Sequence, residues 1–265
     1  MRGLLKLIFC ELAKLKRKKF IPFVILSAFL FPLPLALMML TPRMMERYDT
    51  KAELFDDFYQ FVLGYGVELL LPCIIGVIAA MLFFMERDND TFKNLRTIPV
   101  TSTQMIFAKI IVLFLFGLIF CLSTAAVTIV CGSLIAEVGG LGYKLWLAVE
   151  MGIFITAGTL PLVVLVVFFS RTYIFSVLLC IFYSVLSLTA ESSFGALPKF
   201  LCWLMPIPLT NLWCAGDMVR HGVKGSLGEL EYLVPSTMQT VLILGAMVVL
   251  SILVIDRLYK RRGGD

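Results

Sequence analysis

Long apolar runs alternate with short charged connections along the whole chain. A transmembrane helix needs about 20 mainly apolar residues, and six runs meet or approach that length. They cover residues 20–40, 61–85, 105–135, 146–169, 173–190 and 237–255. The pattern predicts an all-α integral membrane protein with six transmembrane helices, organised as a single domain over residues 1–265.

The stretch before the first run, residues 1–19, has a helical apolar stripe and a basic opposite face. Such a helix lies in the headgroup plane of a bilayer, so we expect an N-terminal interfacial helix here. A basic tail that only sets the orientation is the alternative. The stripe consists of Leu4, Leu5, Ile8, Leu12 and Leu15.

Two other connections differ in character. Residues 41–60 are acidic and polar, which favours an outer loop. Residues 191–235 are long and largely apolar, but Pro198, Pro206 and Pro208 rule out one continuous helix. We therefore expect a broken hydrophobic outer segment before the last span, formed by a re-entrant or interfacial pair of short helices.

The connection between the second and third runs has the pattern of a short amphipathic helix. Asp90 is placed to cap it, and Pro99 ends it because proline disfavours helical geometry in the residue before it. Phe92, Leu95 and Ile98 recur every three residues and so share a face. The pattern predicts a docking loop over residues 86–104. A solvated loop whose apolar side chains rest on headgroups remains the alternative.

Directly after that helix, Thr101 and Gln104 form a Ser/Thr-x-x-Glu/Gln capping box, which starts the third span. Lys109 follows one turn inside this span, where we expect it to snorkel back to phosphate.

Composition agrees with a membrane protein. Only 15% of the residues are charged and the mean hydropathy is +0.97, whereas soluble domains have about 25% charged residues. Lysine and arginine are concentrated at both ends of the chain, so the positive-inside rule places both termini and the 86–104 loop in the cytoplasm. The net charge of +5 therefore reflects topology and anionic lipid, and no nucleic-acid partner is expected.

Ionisable residues inside a span mark polar paths or partners. Glu68 and Glu150, both near the outer ends of their spans, are therefore candidates for a substrate path; a position at the headgroup level is the alternative for Glu68. Gly152, Thr156 and Gly158 in the fourth run permit close helix packing, either at a subunit interface or within the chain.

Catalytic and metal-binding motifs are missing from the sequence. It contains no P-loop, no Gly-x-Ser-x-Gly and no His-Glu-x-x-His. Its single histidine, His221, has no partner at ligand spacing. Cys202 and Cys214 share the outer segment, but sequence alone does not decide whether they pair. We expect no catalytic residue, no metal and no cofactor in this chain, so any uphill transport needs energy from another chain.

Several features of the chain carry a family resemblance: the basic start (Leu4 to Lys19), Glu86-Arg87, Thr91 to Leu95, Thr97 to Thr101, Lys109 and the broken outer segment. Together they resemble the membrane subunits of type-2 ATP-binding-cassette exporters. More narrowly, they resemble the short permeases of lantibiotic-immunity and bacitracin-resistance transporters. The resemblance implies a docking loop that couples the spans to a partner ATPase, which binds ATP and Mg²⁺. Its coupling residues would be Glu86, Arg87, Asp90, Phe92, Lys93, Leu95, Arg96, Ile98 and Pro99.

The resemblance further implies a second permease chain, a hydrophobic peptide antibiotic as substrate and a location in the bacterial plasma membrane. Two alternatives remain. One is an immunity or sensor protein that sequesters a peptide without transport. The other is a membrane-embedded lipid-modifying enzyme, which would need clustered acids, bases or nucleophiles at one depth.

Overall fold

The computed structural model describes residues 2–17, 19–88, 101–169, 173–195, 198–223 and 228–262, and these ranges contain helices and no strand. A π-helical turn, Val62–Val67, joins α5 to α6, and a 3₁₀ segment, Gly228–Leu233, precedes α12. The helices are α1 Arg2–Arg17, α2 Phe20–Ser27, α3 Pro32–Met39, α4 Pro42–Met45, α5 Lys51–Phe61, α6 Glu68–Asp88, α7 Ser102–Ile135, α8 Leu141–Phe168, α9 Tyr173–Glu191, α10 Lys199–Leu204, α11 Pro206–Arg220 and α12 Thr237–Arg262.

Six helical stretches among the described residues are long and apolar enough to cross a membrane. This confirms the prediction of an all-α integral membrane protein with six spans. The stretches are Phe20–Met39, Lys51–Phe84, Ser102–Ile135, Leu141–Phe168, Ile174–Glu191 and Thr237–Lys260.

The second span begins earlier than its apolar run. Residues 51–60, expected to belong to a polar outer loop, form most of α5. Thr50 caps this helix by accepting from the backbone N–H of Glu53. Its apolar side chains are spaced to face the core, where Phe55 and Tyr59 are fully buried. The prediction was wrong because the acidic residues between them lowered the mean hydropathy without disrupting the helical period.

The first span is broken between α2 and α3, as its prolines suggest. Pro32 stands at the first position of α3, where a missing N–H costs little. Every fourth residue of the span, Val24, Ala28, Pro32 and Ala36, is buried and faces α7, whereas the opposite face is exposed. The span therefore packs along its whole length on one side.

The crossing of α7 and α8 is the closest helix contact of the fourth span. A Cβ added to Gly117 would lie 2.1 Å from the Thr156 hydroxyl oxygen, and one added to Gly152 would lie 3.3 Å from the Cys121 Cβ. Close backbone approach is what small residues in membrane helices permit. Of the two alternatives for this small-residue face, the structure has the contact within the chain.

The segment 191–235 forms the expected pair of helices, and α11 runs antiparallel to α8. Its first residue, Pro206, lies against Gly158, while Asp217 near its other end accepts from the Tyr143 hydroxyl at 2.9 Å. Gly158 lies about 22 Å further along α8 than Tyr143, given a rise of 1.5 Å per residue. The α10–α11 hairpin therefore enters the bundle between spans and returns to the same end.

Contacts define two opposite ends of the bundle. At the "termini end", Phe83 of α6 contacts Tyr259 near the end of α12, and Lys109 near the start of α7 reaches Leu82 of α6 and Glu11 of α1. At the "hairpin end", α5, the start of α8, the end of α9 and α11 come together.

Candidate functional site

The predicted docking loop falls largely outside the described residues. Glu86 and Arg87 lie in the last turn of α6, which ends at Asp88, two residues beyond the expected start of the loop. The remaining candidates lie outside the described part of the chain: Asp90, Phe92, Lys93, Leu95, Arg96, Ile98 and Pro99. What the structure describes is the pair of helices from which the loop emerges, and their attachment to the bundle.

The downstream root of the loop is fixed by the predicted capping box, which is confirmed. The Thr101 hydroxyl accepts from the Gln104 backbone N–H at 3.3 Å, and the Gln104 amide oxygen accepts from the Thr101 N–H at 3.4 Å. One residue into α7, the Thr103 hydroxyl donates to Asp256 of α12 at 2.9 Å. The start of α7 is therefore held both by its own cap and by the last span.

Lys109 does not snorkel to phosphate, so that prediction was wrong. Its side chain is fully buried, and its Nζ donates to the Leu82 carbonyl of α6 at 2.6 Å. The same Nζ lies 3.7 Å from Glu11 of α1 and 5.2 Å from the centre of the Phe83 ring. A lysine one turn into a span can reach the headgroups only along a free surface, and here α1 and α6 close over it.

Through Glu11 the interfacial helix α1 joins this contact. Glu11 is 6% exposed and also pairs with Lys14 at 2.6 Å. On the same face Leu15 is fully buried, whereas Leu5, counted in the same sequence stripe, is 56% exposed. Part of the stripe thus packs on α7 and part faces outward. The "lysine staple", defined as Lys109 with Leu82 and Glu11, joins the helix before the loop, the helix after it and α1.

Glu68 lies at the start of α6, directly after the π-helical turn, and is fully buried. Because the second span begins at Lys51, Glu68 lies near the middle of that span and not near its outer end as predicted. The amide nitrogen of Asn211, on α11, donates to Glu68 Oε2 at 3.0 Å and to Glu191 Oε2 at 2.7 Å. Glu191 is the last residue of α9 and is 9% exposed. These three residues, here named the carboxyl cluster, join the second span, the fifth span and the α10–α11 hairpin.

Glu150, the other candidate for a substrate path, belongs to a separate group. It is only partly buried and acts electrostatically on Asp217 and His221. The imidazole of His221 lies 3.4 Å from Asp217 and stacks on Tyr143 with ring centres 4.1 Å apart. Glu68 and Glu150 therefore belong to different groups of partners, although both lie within electrostatic range of Cys214.

Sequence reasoning missed a second buried lysine. Lys144 donates to Asp56 at 2.5 Å and to the Gly139 carbonyl at 2.9 Å, and its own carbonyl accepts from Tyr59. The sequence does show acidic residues such as Asp56 in one outer connection and Lys144 near the start of the fourth span. It did not predict the α5 helix, which places Asp56 against Lys144. Just before α5, burial and a hydrogen bond to Asp57 raise the pKa of Tyr48 to about 12.

The candidate disulfide is not present in the structure. Cys202 and Cys214 are both buried free thiols. Within the described ranges, no group of three or more histidine, cysteine, aspartate or glutamate side chains is arranged to hold a metal ion.

Comparison with known proteins places these features in a family. No curated protein matches the chain. A family model described as "ABC-2 family transporter protein" matches residues 7–187, which is about two thirds of the sequence and runs from α1 into α9. The match therefore includes the lysine staple and the connection that contains the predicted docking loop. The chain belongs to the ABC-2 family, whose members are membrane subunits of ATP-binding-cassette transporters.

Proposed function

We propose that this chain is the permease subunit of an ATP-driven exporter that expels a membrane-active peptide antibiotic of the lantibiotic or bacitracin type. A partner ATPase binds ATP and Mg²⁺ and engages the 86–104 loop. The loop and both chain termini then lie on the cytoplasmic side of the bacterial plasma membrane. Family membership and the missing P-loop support the need for a partner.

The lysine staple is the observation that carries the proposal. The loop connects α6 to α7, and Lys109 joins these two helices less than two turns from the point where α7 begins. A force applied to the loop therefore moves α6, α7 and, through Glu11, α1 as one unit. A loop that served only as a solvated connection would need no such attachment at its roots.

A second permease chain is part of the proposal. Between α2 and α6 lies an apolar groove of about 670 Å³, with Phe20, Phe23, Leu30, Leu70 and Ile74 among its lining residues. An exposed apolar face is ordinary against lipid, but a concave one accommodates the ridges of another helix. The groove supports pairing of two permeases through the first and second spans.

The carboxyl cluster and Glu150 lie at the end of the bundle where a peptide would arrive or leave. Glu150 is partly exposed, so an approaching cationic peptide reaches it directly. Glu68 is fully buried beneath α11. It contributes to a substrate path only when the hairpin moves.

The test uses proteoliposomes that contain the full chain and its partner ATPase, with bacitracin or the lantibiotic nisin as probe. We expect Glu86→Ala and Phe92→Ala to lower peptide-stimulated ATP hydrolysis several-fold while the complex still assembles. Phe107→Ala is the matched control, because Phe107 lies near the same end on α7 and is 42% exposed. Full stimulation in the two loop variants would refute the coupling role.

Resistance in cells separates transport from sequestration. If the chain is an exporter subunit, resistance to the peptide is lost when the P-loop lysine of the partner ATPase is replaced. Resistance that survives this replacement would show that the chain protects without transport.

A further inference from the structure

The carboxyl cluster lacks hydrogen-bond donors. Two carboxylates offer four oxygens, and the Asn211 amide supplies its two hydrogens, one to each Oε2. Among the described residues neither Glu68 Oε1 nor Glu191 Oε1 faces a donor, although both atoms are buried. The two carboxyl groups nevertheless lie within hydrogen-bonding distance of each other. Two ionised carboxylates cannot form that bond, because neither has a hydrogen to donate.

The cluster also lacks a compensating positive charge. The ionisable groups that act on Glu68 are Glu191 of α9 and Cys214 of α11, and Glu68 in turn acts on Glu191. Within the described ranges, no lysine, arginine or histidine acts on either carboxyl group. Two negative charges buried side by side without a cation are very costly. When carboxyl groups share a site in this way, one of them keeps a proton.

The position of the cluster connects that proton to the α10–α11 hairpin. Asn211 belongs to the re-entrant hairpin, whereas Glu68 follows the π-helical turn, and single π-helical turns are rare and often lie at functional sites. That turn is also tightly placed: a Cβ on Gly66 would lie 2.9 Å from the Phe31 side chain, and one on Gly64 would lie 3.8 Å from the Asn211 amide.

We propose that Glu68 and Glu191 form a proton-binding site that holds one proton between two carboxyl groups, and that release of this proton detaches α11 from α6 and α9. With the proton bound, the pair carries one negative charge and both Oε1 atoms are satisfied. Without it, two carboxylates face each other and repel, and the hairpin is pushed away from α6 and from the end of α9. The inference does not depend on the proposed substrate or on coupling to an ATPase.

The first experiment detects the proton itself. Infrared spectra of the full chain in liposomes are recorded at neutral pH for the wild type, Glu68→Gln, Glu191→Gln and the control Glu137→Gln, which changes an exposed residue. We expect the C=O band of protonated carboxyl groups to have the same intensity in the control as in the wild type. In either cluster variant its intensity should fall by the contribution of one carboxyl group. A glutamine supplies its own donor, so the remaining carboxylate ionises. An equal band in all four proteins would overturn the proposal.

The second experiment measures detachment of the hairpin. Cys214, on α11, is 3% exposed, so maleimide labelling of a variant that retains only this cysteine reports opening. The double variant Glu68→Gln/Glu191→Gln in the same background supplies the ordinary pH dependence of the thiol, and gel filtration verifies that it is folded.

There is a pH range in which the two carboxyl groups hold the proton when the hairpin is closed and lack it when the hairpin is open. In that range, each opening releases one proton. Over that range we expect the labelling rate of the wild type, relative to the double variant, to rise by on the order of tenfold per pH unit. The rise must go upward with pH, because the closed state binds the additional proton. A ratio that stays constant with pH would overturn the release of the hairpin.

Discussion

The two ends of the bundle bury charges differently: one pairs a cation with a carboxylate, and the other places two carboxyl groups side by side. At the termini end a buried cation, Lys109, has the Leu82 carbonyl, the nearby Glu11 carboxylate and the Phe83 ring as partners. At the hairpin end two buried carboxylates, Glu68 and Glu191, share one amide and are left with two oxygens that face no donor in the described residues.

The difference indicates how each end is used. A buried cation with an opposite charge beside it, as Lys109 has Glu11, favours one arrangement, although Glu11 Oε2 accepts no hydrogen bond, since moving either partner leaves the other charge uncompensated. A buried pair that is short of one donor has two arrangements, with and without a proton, and these differ in charge. The termini end is therefore suited to transmit movement rigidly, and the hairpin end is suited to switch.

The largest effect is expected from Lys109→Met, which removes the centre of the lysine staple. Glu11 loses its buried partner and the Leu82 carbonyl loses its donor, so we expect a loss of about 2–4 kcal/mol of unfolding free energy. Lys14 still pairs with Glu11, which keeps the loss in the lower part of the range for buried pairs. Equilibrium unfolding in mixed micelles measures it.

Lys109→Met/Glu11→Gln is the control for that variant. If the staple is a true three-way contact, the double variant is less destabilised than the sum of its two single changes. Strict additivity would show that Glu11 and Lys109 do not interact, and would remove α1 from the unit that the loop moves.

Asn211→Leu tests the hairpin end and is expected to cost about 2–3 kcal/mol. It removes both donors of the carboxyl cluster, which leaves buried oxygens unsatisfied. The same unfolding measurement applies. Thr210→Val on the same helix is the control, because the Thr210 hydroxyl donates only to the Pro206 carbonyl of its own helix, and its removal is expected to cost less than about 1 kcal/mol.

The comparison between the ends is sharpened by adding Glu68→Leu and Glu191→Leu to Asn211→Leu. Removing all the polar partners together is close to neutral when apolar groups of similar shape replace them, so the triple variant should recover most of the loss. If it instead falls further, the cluster contributes attraction of its own, and the description of the hairpin end as incomplete is wrong.

The smallest effect is expected from Gly158→Ala, at about 1–2 kcal/mol. The new methyl group would lie 2.8 Å from the Pro206 Cβ, so α11 must shift away from α8. Gly142→Ala, on the same helix with nothing within 4 Å of its added Cβ, is the matched control and should not destabilise. Equal stability of the two variants would show that α11 does not pack against α8 at that depth.

Sequence reasoning succeeded where the signal was local or periodic. The six spans follow from long apolar runs, and the cap of α7 follows from Thr101 and Gln104, which lie three residues apart. It failed for residues 51–60 because two buried aromatic positions, Phe55 and Tyr59, were masked by neighbouring acidic residues. A local signal was therefore sufficient where hydropathy and helical period agreed, and insufficient where acidic residues lowered the mean hydropathy of a buried helix.

The candidate site was less accessible to sequence reasoning because its residues are distant from one another in the chain. Glu68 and Glu191 are 123 positions apart in the chain, and Asn211 has no sequence feature that distinguishes it from any polar residue of an outer segment. The prediction for Lys109 was wrong because the sequence shows how far the residue lies along its span but not which helices enclose its side chain.

The sequence by itself determined that this is a membrane protein with six spans, since the need to satisfy every backbone polar group in lipid leaves an apolar run of this length few alternatives to a helix. The packing of α1, α6, α9 and α11 alone decided which charged side chains are buried and which residues they contact. The reason is that the free energy of a buried charge depends on partners that are distant in the chain.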